Sequence, residues 1–283
     1  MQDTDYGIPE IYEKEAKGNL GGIYRDIQTI LKVPIVNFMF RTLALYETFL
    51  GTAWTQVRSN MLTVDMENAA ENLRYPDISV KAPDINWGAI YDLQTIEQIK
   101  SVIITFNYVN PKLLLIASAW AESLGNRPIQ GTQRCDGYIA PGVFQGLEDI
   151  RLVDICRTAP DVQSLLLDIT KKHRAYDAAS DYRALAHYPM FLARSWESLK
   201  QYVGSDEYHL LGADLKQRSI ELVHERMPFP VTINTDYLSQ IYNPGDIAGI
   251  MGIIAMFQNI LPDLIIEGEF FRRMGGPSAI FDK

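Results

Sequence analysis

The sequence predicts an all-α protein made of two related helical repeats, packed about a pseudo-two-fold axis with the site between them. Three observations predict it: blocks of the chain that match one another, apolar residues recurring at helical spacing in both, and the lack of any alternating run bounded by turn pairs. "RTLALYETFLGTAW" (41–54) lies over "RALAHYPMFLARSW" (183–196) at an offset of 142, sharing seven of fourteen residues, and the same offset pairs Asp26-Ile27 with Asp168-Ile169. "YDLQTIEQIKSVIITFNYVNPKL" (91–113) lies over "YNPGDIAGIMGIIAMFQNILPDL" (242–264) at an offset of 151.

In chain order, Leu43, Tyr46, Phe49, Leu50, Ala53 and Trp54 form the apolar stripe of a helix. Ile96, Ile99, Ile103 and Phe106 form a second helix, capped at Thr95, or at Asp246 in the second copy. The Gly-, Pro- and polar-rich stretch 125–146 reads as a connecting loop. Behind Ala178 and Ala179, "SDYRALAHYPMFLARSW" reopens as an amphipathic helix with Leu185, Tyr188, Phe191 and Leu192 at helical spacing. The expected organisation is a first repeat over 1–125, a connector over 126–163 and a second repeat over 164–283, forming one globular unit.

With 283 residues and 47% hydrophobic content, the chain can bury a large core. Lys and Arg number 26 against 35 Asp and Glu, a net charge of −9 with no basic cluster, so nucleic acid and anionic membranes are not expected partners. The acidic start "MQDTDYGIPE" lacks the basic region and apolar run of a signal peptide. The most apolar run, 247–257, is about half the roughly 20 residues a membrane helix needs. Two cysteines, Cys135 and Cys156, give no disulfide framework. A cytoplasmic location is expected.

Positions where the two copies disagree carry the functional signal. Asp181 pairs with Met39 and Ser180 with Phe38, so the fold manages without a polar group there. In the other block the asymmetry reverses: Asn110 pairs with Leu261. If the halves face each other, Asp181 and Asn110 converge in one apolar pocket lined by Phe38, Met39, Ile260 and Leu261. There a carboxylate can take a proton from water while an amide orients it. The plainer reading stays open: Ser, Asp and Asn are preferred caps, and Asn110 before Pro111 is a common helix entry.

"YRDIQTILKVPIVNF" (24–38), "FNYVNPKLLLIASAWAESLGNRPIQG" (106–131) and "ASDYRALAHYP" (179–189), with "MFQNILPDL" (256–264) more weakly, resemble segments of the group I 2-haloacid dehalogenases in order and spacing. The resemblance implies hydrolytic dehalogenation of short 2-haloalkanoic acids to 2-hydroxy acids by a water attacking C2, with no metal, organic cofactor or covalent ester. Asp181 matches the catalytic aspartate, Asn110 the water-holding asparagine, and Phe38, Ala179 and Ser180 pocket positions. The substrate carboxylate is expected beside the amides at the start of the helix near Ser180. Ile35 stands where an aromatic residue is usual, Asn37 where a small one is, and Leu113 and Phe257 where tyrosines are. With Ile260, Leu261 and Leu264 these complete the expected substrate-binding set. The four departures motivate an alternative, a family member that binds a small carboxylic acid without dehalogenating it. A third reading, a helical interaction protein, needs Asp181 to be an exposed cap. A homodimer is the expected assembly.

Other signals are read as structural. The four histidines, His173, His187, His209 and His224, include no pair at i, i+4 and no nearby cysteine, so no metal site is expected. Glu122 reads as a solvated or capping residue, Lys112 as a surface lysine, and Arg183, which recurs as Arg41, as a residue of the fold. There is no CxxC, and Gly21-Gly22 is not followed by a phosphate-loop pattern.

Overall fold

The computed structural model describes residues 8–276; the acidic first seven residues and the last seven, including the outer limits expected for the two repeats, lie outside the described residues. The described residues form eleven α-helices and no strand, only the isolated bridges Thr63 to Tyr138 and Ile129 to Val231. The helices are α1 (Gly18–Leu31), α2 (Phe38–Leu43), α3 (Glu47–Arg58), α4 (Val64–Arg74), α5 (Leu93–Leu124), α6 (Pro160–Lys172), α7 (Ser180–Leu185), α8 (Pro189–Leu199), α9 (Asp206–Arg226), α10 (Thr235–Leu238) and α11 (Pro244–Gly275). The all-α expectation holds.

Matching sequence makes matching local structure. α2 and α7 begin and end 142 residues apart, and α5 and α11 are both 32 residues long and 151 apart at both ends. In the first half the Trp54 indole donates to Asp26 at 2.8 Å and Arg58 bonds the same carboxylate; in the second, Trp196 donates to Asp168 at 2.7 Å and Lys200 bonds it. The shared aspartate therefore ties the helix that carries it, α1 or α6, to the helix of the matching block, α3 or α8.

The halves also exchange bonds. The backbone N–H of Phe49 donates to the Tyr242 hydroxyl at 3.0 Å, and that of Phe191 to the Tyr91 hydroxyl at 3.1 Å. Each half gives the other the same bond.

α5 and α11 pack against each other and form the spine. Nearly all of α5 from Ser101 onward is buried, which a helix apolar on every face requires. By length and composition α5 and α11 could each cross a membrane, but the apolar window of α5 is wholly buried within the protein and that of α11 half buried. The 247–257 run is thus part of a longer helix than its own length suggested.

Two local expectations are corrected. The caps of the long helices are Asp92, accepting from the Thr95 N–H, and Asn243, accepting from the Asp246 N–H, three residues upstream of those expected. Asn110 and Pro111 sit inside α5 rather than at a helix entry. α6 begins at Pro160. The remaining connector is anchored: Ile129 and Val231 exchange both backbone bonds at 2.9 Å. Beside them Gly131, at φ +78°, approaches the Pro228 carbonyl so closely that a Cβ would lie 2.7 Å from its oxygen.

Candidate active site

Asp181 and Asn110 meet. Asn110, on the buried middle of α5, donates from Nδ2 to Asp181 Oδ2 at 2.8 Å, across 71 residues of chain. The cap of α7 is Ala179, whose side chain cannot cap, so Asp181 lies in the first turn and its carboxylate turns inward. The exposed-cap reading fails because Asp181 is only 6% exposed. Ser180, one residue earlier, accepts from Arg41 Nη2 at 3.1 Å, and Arg41 is itself pinned to Glu10 and to the Val36 carbonyl.

Both side chains line a cavity of about 350 Å³. Its walls are mostly apolar. Asn37, Phe38, Leu113, Ala179, Ser180, Phe257, Ile260, Leu261 and Leu264, all expected from sequence, line it together with Met39. Phe38 from the first half meets Phe257 from the second edge to face, with centroids 5.5 Å apart. Ile35 is the exception: it is 2% exposed, packs in the core and does not line the cavity. It lies three residues before the helix whose first turn faces the site, and its side chain turns to the core.

Sequence reading missed several wall residues: Ile8, Phe106, His173, Arg174, Ala175, Tyr176, Asp177, Met256, Asn259 and Asp263. Arg174 and Tyr176 are exposed, at the mouth, whereas the His173 side chain is only 6% exposed. Phe106 recurs as Phe257, so the duplication carried a signal for it.

The electrostatics of the site follow from burial. Burial lifts the Asp181 carboxyl from its ordinary 3.8 to about 7, while the Asn110 amide and a backbone N–H pull it down; Glu267 adds to the rise and His173 opposes it. Burial likewise lifts Asp263 to about 7, with Glu267 adding to the effect. For His173, burial opposes the charged form, but the Glu267 carboxylate prevails and lifts the ring to about 9. Asn37 Oδ1 is buried and has no hydrogen-bond partner among the described residues. No group of three His, Cys, Asp or Glu side chains among the described residues has the arrangement of a metal site.

Two residues read as surface groups are buried instead. Lys112 is 1% exposed, donates to the Tyr108 hydroxyl and pairs with Glu67 at 2.7 Å. Glu122 is 3% exposed and binds Arg127 and His224, away from the cavity. Arg183 serves the fold as expected, bonding the Val153 carbonyl, Glu10 and Tyr12.

The family model described as halocarboxylic acid dehydrogenase DehI matches residues 34–182, a span that contains Asn37, Phe38, Asn110, Leu113 and Asp181. The chain belongs to this family. A relative from Alcaligenes xylosoxydans xylosoxydans, named a configuration-inverting 2-haloacid dehalogenase, is 30% identical over 270 residues, covering 92% of this chain and 91% of the relative. A protein of the same name from Pseudomonas sp. (strain 113) is 28% identical over 271 residues, 92% and 88% of the two chains. The solved complex of a D-2-haloacid dehalogenase with L-LA superposes with a TM-score of 0.87 at 23% identity, over 96% of this chain and 97% of that one, and shares the fold.

Proposed function

We propose that this DehI-family chain is a 2-haloacid dehalogenase of the group I type, hydrolysing short 2-haloalkanoic acids to 2-hydroxy acids. The observation that carries the reading is the buried Asn110–Asp181 pair, at 2.8 Å, on the wall of an apolar cavity. The configuration-inverting relatives support the reaction class.

In the proposed mechanism, Asp181 is the base and Asn110 holds it and the water between them. The Asp181 carboxylate takes one proton as the water oxygen bonds to C2, on the face opposite the halogen. The carbon–halogen bond breaks in the same displacement, its electron pair leaves as halide, and the centre inverts. No ester with the protein forms, and the proton passes from Asp181 to solvent before the next turnover. A base of this kind contributes about 10²- to 10⁴-fold. The apolar walls from Phe38, Leu113, Phe257, Ile260, Leu261 and Leu264 exclude other water and face the alkyl group. The buried Asn37 oxygen is one further polar contact available to a ligand. The pocket falls between two repeats, 1–125 and 164–283, related by a pseudo-two-fold, a reading that the exchanged tyrosine bonds support.

Halide release from D- and L-2-chloropropionate and from bromoacetate, with Asp181→Asn as control, tests the proposal. Release that Asp181→Asn abolishes is expected. Tight binding of these acids without release would instead favour the non-dehalogenating alternative, and an Asp181→Asn variant with most of its activity would remove the base.

A further inference from the structure

Behind Asp181 lies a buried polar network. His173 Nδ1 faces the Ile169 carbonyl at 2.8 Å and Nε2 faces Glu267 Oε1 at 2.6 Å. Glu267 also accepts from the Tyr208 hydroxyl at 2.6 Å and from the Tyr182 hydroxyl at 2.7 Å. A carbonyl can only accept, so Nδ1 carries a proton; Nε2 meets a carboxylate already held by two phenols, so it donates as well. The ring is an imidazolium fixed at both nitrogens.

The duplication shows that the fold does not require this network. At the offsets that align the halves, His173 falls on Leu31, Tyr182 on Phe40, Tyr208 on Met66 and Glu267 on Ile116. The last three pairs are tied to matching structure: α2 and α7 correspond, the caps Thr63 and Ser205 accept from Met66 and Tyr208, and α5 corresponds to α11. All four counterparts are completely buried and apolar. One half fills these places with hydrocarbon; the other installs four hydrogen-bonding side chains beside the proposed base.

The site has a use for them. An anionic haloacid must share a cavity of low dielectric with the Asp181 carboxylate, and the repulsion would protonate the base as the substrate binds. The charged or titratable wall residues are His173, Arg174, Tyr176, Asp177, Asp181 and Asp263. Arg174 is exposed at the mouth, which leaves His173 as the buried cation, and it lines the cavity while its counterion Glu267 does not. His173 therefore brings its charge to the cavity wall, where it opposes the rise that burial and Glu267 impose on the Asp181 carboxyl. Glu267 and Asp263 reach His173 from α11, Asp181 and Tyr182 from α7, and the Trp196 ring packs on it from α8.

We propose that His173, held by Glu267, is a positioning residue: its fixed charge keeps Asp181 ionised while the substrate anion occupies the same cavity. This rests on Asp181 being the base. The test compares the natural chain with His173→Gln and with a fourfold variant carrying the first-half residues, His173→Leu, Tyr182→Phe, Tyr208→Met and Glu267→Ile. The pH dependence of kcat and kcat/KM for 2-chloropropionate is read with the melting curve. For His173→Gln the acid limb of kcat should move up by about one pH unit, with about a tenfold loss of kcat on that limb. The fourfold variant, which removes the Glu267 carboxylate along with the imidazolium, should fold with an unchanged helical signal and show an acid limb no higher than that of the natural chain. A His173→Gln profile superimposed on the natural one, or a fourfold variant whose acid limb moves up as far as that of the single variant, overturns the proposal. A fourfold variant that cannot fold removes the argument from duplication, and the single variant then decides. If the natural chain releases halide but His173→Gln is unchanged, only this inference fails; if the natural chain releases none from any 2-haloacid, the reading of Asp181 fails with it.

Discussion

Placing a carboxylate in an apolar cavity has a cost that Asp181→Asn should release. In the unfolded chain Asp181 gives up its proton near its ordinary 3.8, whereas in the fold burial holds the proton to about 7. The unfolded state therefore binds fewer protons than the native state between these values, and stability falls as pH rises from about 4 to about 7, then levels off. At about 1.4 kcal/mol for each pH unit the penalty approaches roughly 4 kcal/mol above pH 7. Asparagine fills the same space without charge and can still pair with Asn110, which donates to Asp181 now. The variant should match the natural chain near pH 4 and gain stability as pH rises, reaching a melting temperature about 7 °C higher at pH 8. Melting curves of both proteins from pH 4 to 8.5 measure this. A difference that does not grow with pH, or a variant less stable at pH 8, would refute the assignment of a buried, strained carboxylate.

Four further outcomes follow from the same geometry. In the natural chain kcat/KM should rise with pH through about 7 and then level, because Asp181 acts only when ionised; a profile flat from pH 5 to 8 would contradict this. Lys112→Met breaks a buried pair with Glu67 and should cost about 3 kcal/mol in a denaturant titration while leaving KM unchanged, since Lys112 does not line the cavity. Trp54→Phe and Trp196→Phe each remove one indole bond to an aspartate and should cost about 1 kcal/mol apiece, equally in the two halves. Gly131→Ala places a Cβ against the Pro228 carbonyl at a positive φ and should cost at least about 1 kcal/mol without altering turnover.

The all-α fold and the Asn110–Asp181 meeting were legible because the chain carries its own control. Each half shows what the fold needs, and polar residues that only one half has stand out. The same comparison, extended to Leu31/His173, Phe40/Tyr182, Met66/Tyr208 and Ile116/Glu267, would have exposed the network behind Asp181. Lys112 and Glu122 were not legible, because their partners Glu67 and His224 lie far along the chain and nothing local shows that α5 is enclosed on all sides. The caps of α5 and α11 were misplaced because Asp92 and Thr95, like Asn243 and Asp246, are all capping residues three apart. Only the bonds from the Thr95 and Asp246 N–H groups distinguish them. Ile35 was placed by its counterpart position in the family, which says nothing about which way the chain turns it.

The most direct test of the central claim is a single turnover, with protein in excess over 2-chloropropionate, in water enriched in heavy oxygen. Attack by a water that Asp181 activates puts the heavy atom into the lactate in that first turnover. Unlabelled lactate, with the label later found in the Asp181 carboxyl, would mean that the carboxylate itself attacks C2 and that the account is wrong.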